Sequence, residues 1–199
     1  MAKLTERDND VESLHRRRLL RQALGICAVV GSVSAFPARA AAECRPRILH
    51  FVHTHTGETL TAPYFDGTGY SADSLGQVNL LLRDFRTGES HAIDPALLDI
   101  LYDLQVQADR DGTFEIISGY RSPATNAMLH SRSSGVAEHS QHLLGKAIDI
   151  RLTGFSTRLL SEYARSLARG GGVGFYAASD FVHVDTGPVR TWRMNHSES

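Results

Sequence analysis

Apolar residues recur every three or four positions at Leu75, Val78, Leu81 and Leu82, a spacing that predicts an amphipathic helix over Ser74 to Asp84. The same period at Leu97, Ile100, Leu101, Leu104 and Ala108 predicts a longer helix, with Asp94 as its N-cap and Pro95 at its first helical position. Ser156 caps a third such stretch running to about Ala168, and Gly170, Gly171 and Gly172 mark its stop. Pro123 opens a short helix to about His130. Between these lie short runs with strand character: Arg47–Val52, Glu58–Ala62, Phe114–Ile117, Lys146–Leu152, Val173–Tyr176 and Phe181–Thr186. The first two read as a hairpin joined through His53-Thr54-His55-Thr56-Gly57, while Tyr64–Tyr70 and the polar stretch Ser131–Gln141 read as loops. Helices and strands mix without a βαβ rhythm, so the expected class is α+β, a small antiparallel sheet with flanking helices.

A chain of 199 residues with 22% charged residues holds one core and has no room for two large domains. Its formal net charge of -1 conceals a division: residues 1–40 carry seven Lys/Arg and four Asp/Glu, leaving 14 against 18 in the remainder. That mildly acidic body argues against a nucleic-acid partner. The basic start has the order of a secretory signal, with His15-Arg16-Arg17-Arg18-Leu19-Leu20-Arg21, then the apolar run Ala23–Phe36, then Ala38-Arg39-Ala40. Paired arginines followed by Leu-Leu-Arg resemble the twin-arginine signal, so residues 1–40 are expected to be an export signal and 41–199 the mature domain, periplasmic and without stable membrane insertion after signal removal. Of the two cysteines, Cys27 falls within the signal, which leaves Cys44 alone and no internal disulfide.

Candidate chemistry concentrates in Ser140-Gln141-His142-Leu143-Leu144-Gly145-Lys146-Ala147-Ile148-Asp149 and in Phe181-Val182-His183-Val184-Asp185. Strand alternation puts Ala147, Asp149 and Arg151 on one face and His183 with Asp185 on one face of the later strand. If the two strands pair, Asp149 meets His183, and Gly145 permits a turn that swings His142 in beside them. Two imidazoles and a carboxylate form a three-ligand set with a position left for water, the pattern of catalytic rather than structural zinc.

Ser-x-His-x6-Asp with Gly145 and Ala147 between, plus a later strand histidine, resembles the LAS group of zinc peptidases, which includes D-Ala-D-Ala peptidases, lysostaphin-type enzymes and the hedgehog domain. Ser118-Gly119-Tyr120-Arg121-Ser122 matches its cell-wall D-Ala-D-Ala branch, and Phe181 to Trp192 is similar to murein endopeptidases within it, as are His55-Thr56-Gly57-Glu58 and Leu82-Arg83-Asp84. The resemblance implies a hedgehog or D-Ala-D-Ala peptidase-like fold and a Zn2+ ion on His142, Asp149 and His183. It also implies Arg121 as the group that binds a substrate carboxylate or carbonyl oxygen, and peptidoglycan peptide stems as the substrate. A guanidinium suits that role because it grips carboxylates through two bonds and steadies an oxyanion. For the general base, Asp180 fits the family's Asp-x-x-His spacing, strand parity favours Asp185, and His139 stands three residues before His142. Asp185 is also placed to orient a zinc histidine instead. Ser140 and His139 are expected to meet the substrate. Three readings stay open: cleavage of peptide crosslinks, trimming of terminal D-Ala, and a zinc-containing wall-binding module without catalysis.

Overall fold

The computed structural model describes residues 45–133, 135–167 and 171–194. The expected export signal, Cys27, Cys44 and the end of the third amphipathic helix at Ala168 lie outside them. Strands β1 (Arg47–His53), β2 (Thr59–Phe65), β3 (Thr113–Ser118), β4 (Ala147–Leu152), β5 (Gly172–Tyr176), β6 (Phe181–Asp185) and β7 (Arg190–Met194) form one sheet in the order β2-β1-β3-β4-β6-β5-β7. Helices α1 (Ala72–Leu81), α2 (Pro95–Gln107), α3 (Pro123–His130) and α4 (Thr157–Ser166) join them. The class is α+β, but the sheet is mixed rather than wholly antiparallel: β1 runs parallel to β3, and β5 parallel to β7. Both parallel pairs join strands that are not consecutive in the chain, and β1 is separated from β3 by β2, α1 and α2, a connection long enough for a crossover.

The helices start where their caps dictate. Ser71, Asp94, Ser122 and Ser156 each accept a backbone N–H from the first turn of α1, α2, α3 and α4, and Pro follows immediately in α2 and α3. Helix α2 packs on β1 and α4, and α4 packs on β4, β5 and β6. Leu49, Phe51, Phe114, Ile116, Ile148, Ile150, Val182 and Val184 supply the sheet's side of the core, with Leu97, Leu101, Leu104 and Leu160 from the helices. Each such side chain contributes roughly 1.5–3 kcal/mol when fully buried. Strand alternation leaves the opposite face of β4 and β6 to Asp149, His183 and Asp185.

Strand β2 runs on through Tyr64 and Phe65, which the turn-rich sequence after them suggested was loop. Burial decides the matter: Tyr64 is fully buried, its hydroxyl donates to Asp99 Oδ1 at 3.0 Å, and Arg47 reaches the same oxygen at 2.6 Å while lying over the Phe65 ring. Pro63 is accommodated because β2 is an edge strand, paired on one side only. Strand β7 lies beyond the last strand expected from the pattern.

Asp84 ties the segment after α1 to the loop that carries Arg121. Its Oδ2 accepts the Ser122 N–H at 2.9 Å and its Oδ1 the Arg86 N–H at 3.0 Å. Burial pushes its pKa up, but hydrogen bonds from Thr125 and Ser122 outweigh this and bring it from 3.8 to about 2. A depressed carboxylate stabilises the fold above its unfolded pKa and loses that contribution as pH falls through the folded value. Thermal unfolding should therefore show a loss of stability between pH 3.8 and about 2 that is absent in Asp84→Asn. At neutral pH, Asp84→Ala should cost about 1–3 kcal/mol in denaturant titration, because it leaves the buried Ser122 N–H unpaired.

Candidate metal centre

Three short segments bring the centre together. His142 sits on a single 3-10 turn, Gln141–Leu144, whose Ser140 cap accepts the His142 N–H at 3.3 Å. Gly145 ends the turn in the left-handed region at φ 64, and a Cβ there would lie 2.2 Å from the Ala92 carbonyl oxygen, so both conformation and space require glycine. The Gly145 carbonyl in turn accepts the Asp94 N–H at 2.9 Å, anchoring the turn to the start of α2. Asp149 on β4 and His183 on β6 are direct cross-strand partners.

The orientation of each imidazole follows from what lies behind it. His142 Nδ1 is 2.7 Å from the Gly119 carbonyl oxygen, which can only accept, so the proton resides on Nδ1 and Nε2 turns inward as a lone pair. His183 Nε2 lies 2.9 Å from Asp185 Oδ2, which likewise fixes a proton there and turns Nδ1 inward. The inward atoms crowd together: His183 Nδ1 is 2.9 Å from Asp149 Oδ1 and 3.2 Å from His142 Nε2, and His142 Nε2 is 3.3 Å from Asp149 Oδ1. Three acceptors at these separations repel unless a cation sits among them. The donor set thus fits a divalent metal ion held by His142 Nε2, His183 Nδ1 and an Asp149 oxygen. It is the one cluster of its kind among the described residues.

The electrostatics agree with that reading. Burial would raise the Asp149 pKa, but the two histidines hold its carboxyl far below the usual range. Burial lowers the His142 pKa and keeps that imidazole neutral. Burial works in the same direction on His183, but hydrogen bonds to Asp149 and Asp185 prevail and raise its pKa. A proton and a metal ion therefore compete for His183 Nδ1.

Asp185 is placed behind His183. It is fully buried and accepts N–H bonds from Gly172 at 3.0 Å and Gly187 at 2.8 Å, while Arg190 grips both its oxygens at 3.2 and 2.7 Å. Burial acts to raise its pKa, but His183 and the Gly172 and Gly187 N–H groups drive it well down. Asp180 is not brought to the centre: its side chain is 66% exposed, and it accepts from Thr157 at the start of α4 and pairs with Arg151. Arg121 lies beside the ligands, with Nη2 3.7 Å from Asp149 Oδ2. Its remaining contacts, Asn126 at 3.5 Å and Ser118 at 3.4 Å, are long, and its Nε is buried with no partner. His139 and Ser140 line the same cleft of about 380 Å³. His53 and His55 pack instead with Phe85, the His55 ring stacking on it at 4.2 Å.

Sequence reasoning missed Arg190, which clamps Asp185, and assigned no role to Trp192, which lines the cleft. Their shared parity on one strand was the available signal, hidden because β7 was not foreseen.

A family model described as peptidoglycan L,D-endopeptidase MepK matches residues 40–192. The peptidoglycan L,D-endopeptidase MepK of Escherichia coli (strain K12) is 44% identical over 179 residues, covering 89% of this chain and 97% of the relative. The probable peptidoglycan L,D-endopeptidase MepK of Haemophilus influenzae is 44% identical over 172 residues, 86% of this chain and 90% of the relative. No solved structure matches. With its His-Asp-His cluster inside the matched region, the chain belongs to the family of peptidoglycan L,D-endopeptidase MepK.

Proposed function

We propose that this protein is an exported zinc peptidase that hydrolyses peptide crosslinks in peptidoglycan, at L,D bonds as the names of its relatives indicate. The observation that carries the reading is the convergence of three acceptor atoms from His142, Asp149 and His183, inside a chain of this family. Two imidazoles and a carboxylate, with a position left open, suit zinc better than calcium or magnesium, which prefer all-oxygen sites. Export by the twin-arginine route rests on Arg16, Arg17 and the apolar run that follows; among the described residues no helix is long and apolar enough to cross a membrane.

When bound, zinc supplies Lewis acidity that polarises a carbonyl and makes water more acidic. The chain's own residues do the rest. Arg121, held by long contacts and with donors to spare, binds the scissile carbonyl oxygen or a neighbouring carboxylate and stabilises the negative charge that develops. Asp185 holds the His183 Nε2 proton and fixes the ring with Nδ1 inward, so it is a positioning residue rather than a base. With Asp185 enclosed and Asp180 outside the cleft, His139 is the remaining imidazole in the cleft that is not a ligand, and we assign it the transfer of the water proton. Ser140 shapes the turn beneath it. Arg121 beside the ligands favours catalysis over a wall-binding module, and the relatives' names favour crosslinks over terminal D-Ala.

Chelation should abolish release of monomers from crosslinked muropeptides, and added zinc should restore it; Asp149→Ala should lose both zinc and activity. An Asp149→Ala protein that keeps stoichiometric zinc and full turnover would overturn the ligand assignment. Because His183 takes up a proton more readily than a free imidazole, zinc affinity measured by competition should fall as pH is lowered, and Asp185→Asn should weaken it about 10–100-fold at neutral pH. His139→Ala should lower kcat about 100-fold with zinc content and KM little changed, whereas Asp180→Asn leaves kcat near wild type. The reverse result would make Asp180 the base.

A further inference from the structure

The four strands on the β7 side of the sheet place one row of residues across the cleft floor. Trp192 on β7 is in register with Gly174 on β5, Gly174 with His183 on β6, and His183 with Asp149 on β4. Gly174 is the low point of that row. A Cβ there would lie 2.4 Å from the nearest indole atom of Trp192, so glycine at 174 is what lets the indole lie across β5 toward the metal ligands. The ring centroid of Trp192 comes to 5.1 Å from that of His183.

The indole is held before any substrate arrives. Its Nε1–H donates to the Tyr176 hydroxyl at 3.1 Å, and the Arg190 guanidinium, itself fixed on Asp185, lies 5.3 Å from its centroid. Tyr176 stacks on Phe181 at 4.4 Å, extending the aromatic surface along the cleft. With its polar atom already satisfied, Trp192 has only ring surface left to offer, and a fixed ring loses little freedom on binding. The cleft therefore has two unlike sides. Arg121, beside Asp149, makes one side cationic; Trp192, Tyr176 and Phe181 present flat ring surface on the other, next to the Arg190 guanidinium that is already paired with Asp185.

We propose that Trp192, seated on Gly174, is a substrate-contacting specificity residue whose ring face takes the alkyl portion of the stem-peptide residue next to the scissile bond, while Arg121 takes a carboxylate or carbonyl on the other side. The assignment rests on the peptidoglycan endopeptidase reading and on the metal lying among His142, Asp149 and His183. It sets substrate register: a peptide bound by both sides at once must carry its anionic and alkyl groups on opposite flanks of the bond that is cut.

Trp192 is the single tryptophan of the chain, so its emission reports on this place alone. Stoichiometric Co2+ added to the metal-free protein should quench that emission. Absence of quenching would remove the metal position on which the proposal stands, and the proposal with it. Steady-state kinetics on crosslinked muropeptides, with zinc content measured for every variant, should show that Trp192→Ala raises KM about tenfold or more while kcat changes less than about threefold. Trp192→Phe should recover most of the affinity. Gly174→Ala, which displaces the ring, should raise KM in the same direction, and the double variant Gly174→Ala with Trp192→Ala should be no worse than Trp192→Ala alone. An unchanged KM in zinc-loaded Trp192→Ala overturns the proposal. So does a joint loss of zinc, melting temperature and kcat that Trp192→Phe does not rescue, since that is the behaviour of a merely structural residue.

Discussion

Everything at the centre of this fold answers one electrostatic demand: three lone-pair acceptors must be held face to face. His142 Nε2, His183 Nδ1 and Asp149 Oδ1 lie between 2.9 and 3.3 Å apart, and without a proton or a metal ion among them they do not attract one another. The geometry is imposed from outside. The cross-strand pair β4–β6 brings Asp149 and His183 together at fixed spacing, and the Gly145 turn, anchored to Asp94, brings in His142. Behind each imidazole stands an acceptor, Gly119 O or Asp185, that claims the outer proton and so decides which nitrogen faces inward. Folding thereby creates a site that only a cation relaxes, and binding of that cation is bound up with the stability of the fold.

The same logic explains why the enclosure of Asp185 matters. A carboxylate with two backbone N–H donors, a two-point arginine and an imidazole has no lone pair left for substrate water. It holds the outer nitrogen of His183 at 2.9 Å. On the proposed reading the water proton passes to His139, which lines the cleft that Asp185 does not reach.

Much of this was legible along the chain. Alternation in β4 and β6 is strict, so Asp149 and His183 declare their shared face, and the pairing Asp149 with His183 follows once the strands are adjacent. The capping residues at 94 and 156 and the proline at 123 announce three of the four helices. What parity does not reveal is direction and company. Asp185 shares a face with His183, yet its partners come from β5 and β7 and from Gly187, none of which local periodicity relates to it. Strand β7 itself, Arg-Thr-Trp-Arg-Met, has no apolar rhythm of its own; it exists because a parallel partner, β5, offers it hydrogen bonds. Tyr64 was hidden for a similar reason, since Asp99, which takes its hydroxyl, lies in a helix far along the sequence.

The candidate ligands and the aromatic wall differ in how firmly the sheet holds them. Asp149 and His183 sit on β4 and β6, each hydrogen-bonded to a neighbour on both sides, whereas Trp192 sits on β7, the last strand, paired only to β5. Amide protons of an edge strand exchange through small local openings, while those of interior strands need more of the molecule to come apart. The sheet is in this sense graded from a stiff interior to a compliant margin. Local opening at β7 can therefore move Trp192 without separating the paired strands that carry Asp149 and His183.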